Sequence, residues 1–276
     1  MMKKILGLFI ALMMTTQAFA SIAVAPMRVE VNANKVRGNY LTTSINVTGD
    51  IRKPTRFKVS SGYFKLNEKS ELVIVEDNDG SDPYDISKKI KFVPSEFNVM
   101  PGKSQRVRVN VVGLNQLKDG ESRALLFIED VDPREFAVDT GRAGIGAQLI
   151  VKTRLGVPVY IDKGKVTKVG EIEYFNLTKE KDGLYTNFKV NSTGNSRIRY
   201  SGKVQIVQDK KLIDEYSLDS QVVGTGSYHI SKDKFKGDKI KDAGEYTVRL
   251  ILSYEDGNGR KQHIKQETVL NIKNSV

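Results

Sequence analysis

Residues 145–159 read IGAQLIVKTRLGVPV, and the spacing of their apolar side chains decides how the rest of the chain is understood. Ile145, Ala147, Leu149, Val151, Thr153, Leu155 and Val157 recur at a period of two, which predicts one long strand with an almost unbroken apolar row along one face. The opposite face carries Gly146, Gln148, Ile150, Lys152, Arg154 and Gly156, so it is half polar and holds two cations. Such a strand either fills the core of its own domain or lends its row to the core of another protein.

Outward from this stretch, nearly every apolar segment is short, alternating and bounded by turn residues, which predicts an all-β protein. Residues 22–31 read as an opening strand with Met27, Val29 and Val31 on one face and Arg28 and Glu30 on the other. Strands follow at 41–47, 55–59 and 72–75, and the last leads into an acidic loop over 76–84. Phe97 and Val99 alternate before Pro101-Gly102, and Val107, Val109 and Val111 alternate after it, so a turn is expected between two strands. Residues 123–131 are apolar on both faces at Leu125, Leu126 and Phe127, as in a strand covered on both sides. After Val159 a second series begins, clearest at 183–190, 202–207, 212–218, 244–254 and 262–272, with Asp256-Gly257-Asn258-Gly259 as a hairpin turn. The spacing fits two β-sandwiches in tandem, residues 21–160 and 161–276.

Residues 1–20 read as an export signal, because Lys3 and Lys4 precede an apolar run from Ile5 to Met14 and Ala18-Phe19-Ala20 supplies small residues for cleavage. The run is too short to cross a bilayer, and no later stretch is long and apolar enough, so no membrane insertion is expected. The chain has a formal charge of +11 and no cysteine. Its cations are scattered and opposed by carboxylates, with no aromatic-studded basic tract, which argues against nucleic acid. Without thiols, its stability must come from buried cores.

Catalytic chemistry has little to work with. His229 and His263 are the only imidazoles and stand far apart, with His229 expected in a solvated loop. No serine sits in a G-x-S-x-G elbow, and Gly144-Ile145-Gly146 precedes a strand instead of a helix. The acidic residues Glu76, Asp77, Asp79 and Asp82 lack the spacing of a calcium loop. No enzyme activity, metal or cofactor is expected. The cations Arg28, Lys152 and Arg154 interrupt strands with apolar neighbours; they either point to solvent on edge strands or converge in a cleft and hold an anion, most simply a carboxylate.

The sequence resembles the periplasmic pilus-assembly chaperones of the chaperone–usher pathway, the PapD-like family. The most specific stretch is Phe97-Asn98-Val99-Met100-Pro101-Gly102-Lys103-Ser104-Gln105-Arg106-Val107-Arg108-Val109, which is similar to that family's strand, Pro-Gly turn and strand. Residues 24–31 with Arg28 resemble its first strand, and Lys53-Pro54 stands where the family has a proline before its third strand. Residues 121–127 and 145–159 resemble its next strand and its long exposed one; residues 191–195 and 243–246 sit at similar turns.

The resemblance implies two immunoglobulin-like β-sandwich domains in a boomerang arrangement with a cleft between them. It also implies a non-catalytic periplasmic protein that captures pilin subunits by donor-strand complementation and passes them to an outer-membrane usher. Carried over by position, the donor row is Ile145, Ala147, Leu149 and Val151, and Arg28 anchors the subunit's C-terminal carboxylate. The family's second anchoring lysine falls on Gly156 here, so Arg154, with Lys152 in reserve, is expected to replace it, as in a divergent branch of the family. An exposed apolar row invites self-association of the free protein. The competing reading is a secreted two-domain adhesin or polysaccharide-binding module, which would need aromatics on an exposed face.

Overall fold

The computed structural model describes residues 22–67, 69–76, 79–132, 134–139, 146–240 and 242–272; at 134–139 and 146–149 the backbone alone is described. The chain is all-β and forms two immunoglobulin-like sandwiches. The first contains β1 (Ala23–Ala25), β2 (Val29–Asn32), β3 (Tyr40–Thr48), β4 (Thr55–Leu66), β5 (Leu72–Val75), β6 (Ile90–Val93), β7 (Glu96–Val99), β8 (Ser104–Val112) and β9 (Gly120–Asp130). After β9 come a two-stranded arm, β10 (Arg134–Asp139) and β11 (Gly146–Val151), and then β12 (Arg154–Lys163), which returns to the sandwich.

One sheet has the order β1-β3-β8-β6, and the other has β2-β12-β9-β4-β5 with β7 also against β4. Alternation explains the packing: Leu41, Ile45 and Val47 of β3 and Val107, Val109 and Val111 of β8 face Phe57, Val59, Ala124, Leu126, Ile128, Val157, Val159 and Ile161 across one core. At Pro101-Gly102 the chain turns, with the Lys103 amide donating to the Met100 carbonyl at 3.0 Å and Gly102 at φ +68. The flanking strands β7 and β8 belong to different sheets, so this turn is a crossover and not a hairpin. β9 is buried on both faces, as its sequence predicts.

Two strands expected to be continuous are broken. Residues 22–31 divide into β1 in one sheet and β2 in the other, with Pro26 between them; Met27, expected on the face of Val29, is exposed. Pro26 has no amide proton for a ladder, so the chain changes sheets there. Of the stretch 145–159, residues 146–159 divide at Lys152-Thr153 into β11 and β12, and Ile145 lies outside the described residues. The β9–β12 ladder pairs Arg154 with Glu129, whereas the β10–β11 ladder pairs Val151 with Arg134, a slip that takes the arm out of the sheet register.

The second sandwich contains β13 (Gly170–Glu180), β14 (Gly183–Ser192), β15 (Ile198–Gln208), β16 (Lys211–Val223), β17 (Tyr228–Lys234), β18 (Gly244–Glu255) and β19 (Lys261–Ile272). Its sheets are β13-β14-β17 and β16-β15-β18-β19 around Phe175, Phe188, Val190, Val204, Val248, Leu250 and Leu252. β13 and β17 were not visible as strands. A register shift between Ile172 and Tyr174 breaks the period of β13, and β17 is a polar edge strand. The Asp256–Gly259 turn closes the last hairpin, with Gly259 at φ +77.

Among the described residues the two cores share none. Leu250→Ala is therefore expected to cost about 2–5 kcal/mol in the second sandwich. Hydrogen exchange by mass spectrometry should show protection falling in β14, β15 and β18 while β3, β8 and β9 keep theirs.

Candidate functional site

β11 has one partner, β10, and β12 has one partner, β9, until β2 joins it at Val159. Both lie on the same antiparallel side, because the amide of Asp130 still donates to Thr153 between them at 3.0 Å. Among the described residues, the opposite edge from Gly146 to Pro158 is therefore without a strand partner. At about 3.3 Å per residue it extends roughly 40 Å. An unpaired edge of this length offers a row of backbone donors and acceptors to an incoming strand.

Of the expected donor row, Ile145 lies outside the described residues, and Ala147 and Leu149 are placed in β11 by backbone alone. Val151 is 38% exposed, and Ile150 on the other face is 57% exposed. Both faces of the strand are thus apolar and open at its C-terminal end.

The edge closes where β2 begins. The parallel register sets Val29 beside Val159, so Arg28 falls beside Pro158, at the point where the vacancy stops. Arg28 is half-exposed, with its Nε 3.2 Å from Oε1 of Glu30. Arg154 shares the outer face but is four residues short of Pro158, about 13 Å along the strand. Its guanidinium lies 3.5 Å above the Phe127 ring, a cation–π contact. Lys152 is exposed in the irregular step between β11 and β12, farther still from Arg28. The structure does not bring Arg28, Arg154 and Lys152 together. At Gly156 a Cβ would stand 3.2 Å from the Leu125 side chain, a tight contact that Leu125 would have to shift to relieve.

On the outer face of β9, Leu125 and Phe127 join Phe64 and Tyr160 in a small buried cluster. Beside it the second sandwich is fastened by charge. Arg197, at the entrance to β15, is almost wholly buried, with Nη1 2.8 Å from Glu121 Oε2 and 3.7 Å from Asp162 Oδ1. Its guanidinium also stacks 3.8 Å from the centroid of the Tyr160 ring. Arg123 reaches the other oxygen of Glu121 at 3.3 Å, Lys168 reaches Asp162 at 2.9 Å, and Arg199 reaches Glu30 at 3.1 Å. The backbone completes the joint: the Glu121 amide donates to the Asn195 carbonyl at 2.9 Å, and the Asn195 side chain accepts from Thr167 at 2.7 Å. Gly120 must lack a side chain, since at φ +101 its Cβ would run into the Asn195 carbonyl. Arg197 and Arg199 were missed in the sequence. Their one signal is that they flank Ile198, a core residue, and so share an outer face.

Burial acts to raise the Glu30 carboxyl, but the charges of Arg197, Arg199 and Arg28 and the Arg199 hydrogen bond outweigh it and hold the group below its ordinary value of 4.5. Burial likewise opposes the charge on Arg197, and Glu121, Asp162 and Glu30 reverse that effect.

The remaining candidates do not assemble a catalytic centre. His229 is in β17 and half-buried, not in a solvated loop; its Nδ1 is 2.8 Å from the Tyr200 hydroxyl, and burial lowers its pKa despite Asp233. His263 is exposed beside Ser253. Asp79 and Asp82 accept from the backbone amides of Ser81 and Tyr84, and no cluster with metal-ligand composition occurs among the described residues. Two half-buried tyrosines lie on the outer face of β14 and β17, but Lys232 lies 5.0 Å over Tyr185 and Lys189 lies 4.4 Å over Tyr228. These two rings are already capped, which disfavours sugar stacking.

The fold defines the class: a tandem of two immunoglobulin-like sandwiches. No protein-family model and no curated protein matches the sequence. Among solved structures, many chaperones of the fimbrial chaperone–usher pathway align over about 90% of the chain, at low identity. The class 5 fimbriae chaperone CfaA is 10% identical, with 90% of this chain and 99% of that one covered and a TM-score of 0.46. A chain of the CsuC–CsuE chaperone–tip adhesion subunit pre-assembly complex, from the archaic chaperone–usher Csu pili of Acinetobacter baumannii, is 11% identical, covering 89% and 98% with a TM-score of 0.42. A chain of the Salmonella enterica SafA pilin complex with the SafB chaperone is 13% identical, covering 91% and 97% with a TM-score of 0.40.

Because the Glu30 carboxyl is held low, its contribution to the joint is fully present above about pH 4.5 and is lost as pH falls through its folded pKa. Thermal melting of the intact protein and of Glu30→Gln should differ at pH 6 and converge as the pH falls well below 4.5.

Proposed function

We propose that this protein is a periplasmic chaperone that captures exported pilin subunits by lending them a strand, and that it hands them to an outer-membrane usher. The observation that carries the reading is the vacant edge from Gly146 to Pro158, which ends at Arg28. A client strand docked along this edge has two possible directions. Running parallel to β11 and β12, it brings a C-terminal carboxylate to Arg28; running antiparallel, it brings an N-terminal ammonium against a cation. Charge therefore selects the parallel direction and a client whose chain ends at the cleft.

The donor row Ile145, Ala147, Leu149 and Val151 supplies apolar side chains to a subunit that lacks its last strand. Burying four such side chains contributes on the order of 6 to 12 kcal/mol before the costs of association. Backbone pairing along the edge adds affinity without sequence preference, and the row sets which pockets are filled. The same exposed strand is expected to pair with a second copy of the protein when no client is present. The cleaved leader 1–20 and the absence of an enzymatic reaction belong to this reading, and in it the division between the two sandwiches, expected at residues 160 and 161, falls after β12, because Ile161 is in the first core and β12 pairs with β9 as far as Lys163.

Co-purification from periplasm tests it. The intact protein should bring down small β-rich subunits with ordered C-terminal strands, and Leu149→Asp should lose them while keeping its melting temperature. Arg28→Ala should weaken capture at least tenfold, about 1.4 kcal/mol or more. Unchanged capture by both variants sinks the proposal. Loss of capture by Leu149→Asp alone retains the strand and removes Arg28 as the anchor.

A further inference from the structure

Glu30 presents one oxygen, Oε1, to three guanidinium groups: Arg28 Nε at 3.2 Å, Arg199 Nη2 at 3.1 Å and Arg197 Nη2 at 3.4 Å. Arg197 is committed elsewhere, since it is nearly buried, bonded to Glu121 and stacked on Tyr160. Arg28 and Arg199 are different. Each retains about a third or more of its side chain in solvent, and Glu30 is the one carboxylate either is paired with among the described residues.

Their separation is bounded by that shared oxygen: the two nitrogens can be no farther apart than the two contact distances combined. A carboxylate with its two oxygens spans such a gap. The surrounding charge also favours an extra anion. Arg28, Arg123, Arg197, Arg199 and Lys168 carry five positive charges against the three carboxylates Glu30, Glu121 and Asp162 that they contact. Beside them opens a cavity of 410 Å³ whose lining includes Glu30, Lys168, Arg197, Arg199 and Lys261 but neither Arg28 nor Arg123, so part of the positive charge, that of Arg199 included, faces space a ligand can enter. Glu255 also lines this cavity and stands opposite Lys261 across the β18–β19 ladder, which offsets that lysine.

We propose that Arg199, on the second sandwich, is the cation that joins Arg28 on the client's terminal carboxylate, and that Glu30 occupies both arginines until a client arrives. This rests on the strand-lending reading above and replaces Arg154 as the second anchor. Arg154 is about 13 Å away along β12 with its guanidinium 3.5 Å from the Phe127 ring centroid, and a Cβ at Gly156 would press on the Leu125 side chain at 3.2 Å. The carboxylate site therefore bridges the two sandwiches. Glu30 acts as an internal competitor, so removing its charge should strengthen capture even as it weakens the joint.

Two synthetic peptides test this: an alternating valine–serine peptide of about thirteen residues, matched to the length of the edge at about 3.3 Å per residue, ending either in a free carboxylate or in an amide. Binding to the full chain is read by fluorescence anisotropy, with melting temperature as the control for folding. The intact protein should prefer the free acid by about tenfold. Arg199→Gln and Arg28→Gln should each abolish most of that preference, Arg199→Lys should restore part of it, and Glu30→Gln should raise affinity for the free acid several-fold without changing that for the amide.

If Arg28→Gln loses the preference and Arg199→Gln keeps it, the role of Arg199 is overturned while the function stands. If Glu30→Gln weakens the free acid, Glu30 is a positioning residue and the competitor role is overturned. If the intact protein binds acid and amide alike, or binds neither, the carboxylate site itself is overturned, in the last case together with the vacant edge as a strand-binding surface.

Discussion

β12 is satisfied on both edges over only part of its length, and the rest of the structure follows from that inequality. From Val159 to Asp162 it is flanked by β2 and β9, with Val157, Val159 and Ile161 in the core. Before Val159 it has β9 alone, and β11 beyond it has β10 alone. Backbone amides and carbonyls along an edge must pair with something, and in water they pair weakly and reversibly. A sandwich can keep such an edge without unfolding only if its own core is already complete. The first sandwich meets that condition, because among the described residues its core is closed by β3 and β8 against β4, β9 and β12.

What stops β2 from covering more of the edge is the change of sheet at Pro26. β1 pairs with β3, and the chain re-enters at Val29 in the opposite sheet, so four residues are left to protect β12. Arg28 stands at that re-entry. Its place at the end of the vacancy is therefore a consequence of chain topology, and its charge gives the edge a direction. The ion-pair joint then sets what faces Arg28. Glu121, Asp162 and Glu30 draw Arg197 out of solvent, and a buried arginine needs such partners because its desolvation is costly. With Arg197 fixed, its neighbour but one on β15, Arg199, is carried to Glu30.

The all-β class, the two-sandwich organisation and most strands were legible because alternation at period two survives wherever one face of a strand is buried. Among the strands the pattern does not reveal, β13 has its alternation broken by a register shift and β17 is a polar edge strand, β6 is only four residues long, and β10 lies within 132–144, expected as a loop. Continuity was harder to read than existence. The apolar row passes through Lys152 and Thr153 without a mark of the slip between two ladders, because pairing register belongs to two strands and is not written in either alone.

The site divides in the same way. The chain's order of residues was enough to single out residues 145–159 as an exposed-strand candidate and Arg28 as a cation among apolar neighbours, since both are properties of a single segment. Which cations meet was decided only by the tertiary structure. Arg154, which shares a segment with the apolar row, is drawn onto Phe127, while Arg199, 171 positions from Arg28 in the sequence, shares a carboxylate oxygen with it. Local pattern determines which face a side chain takes on its own strand; how strands and domains meet in space determines what that side chain touches, and no one-dimensional spacing contains that information.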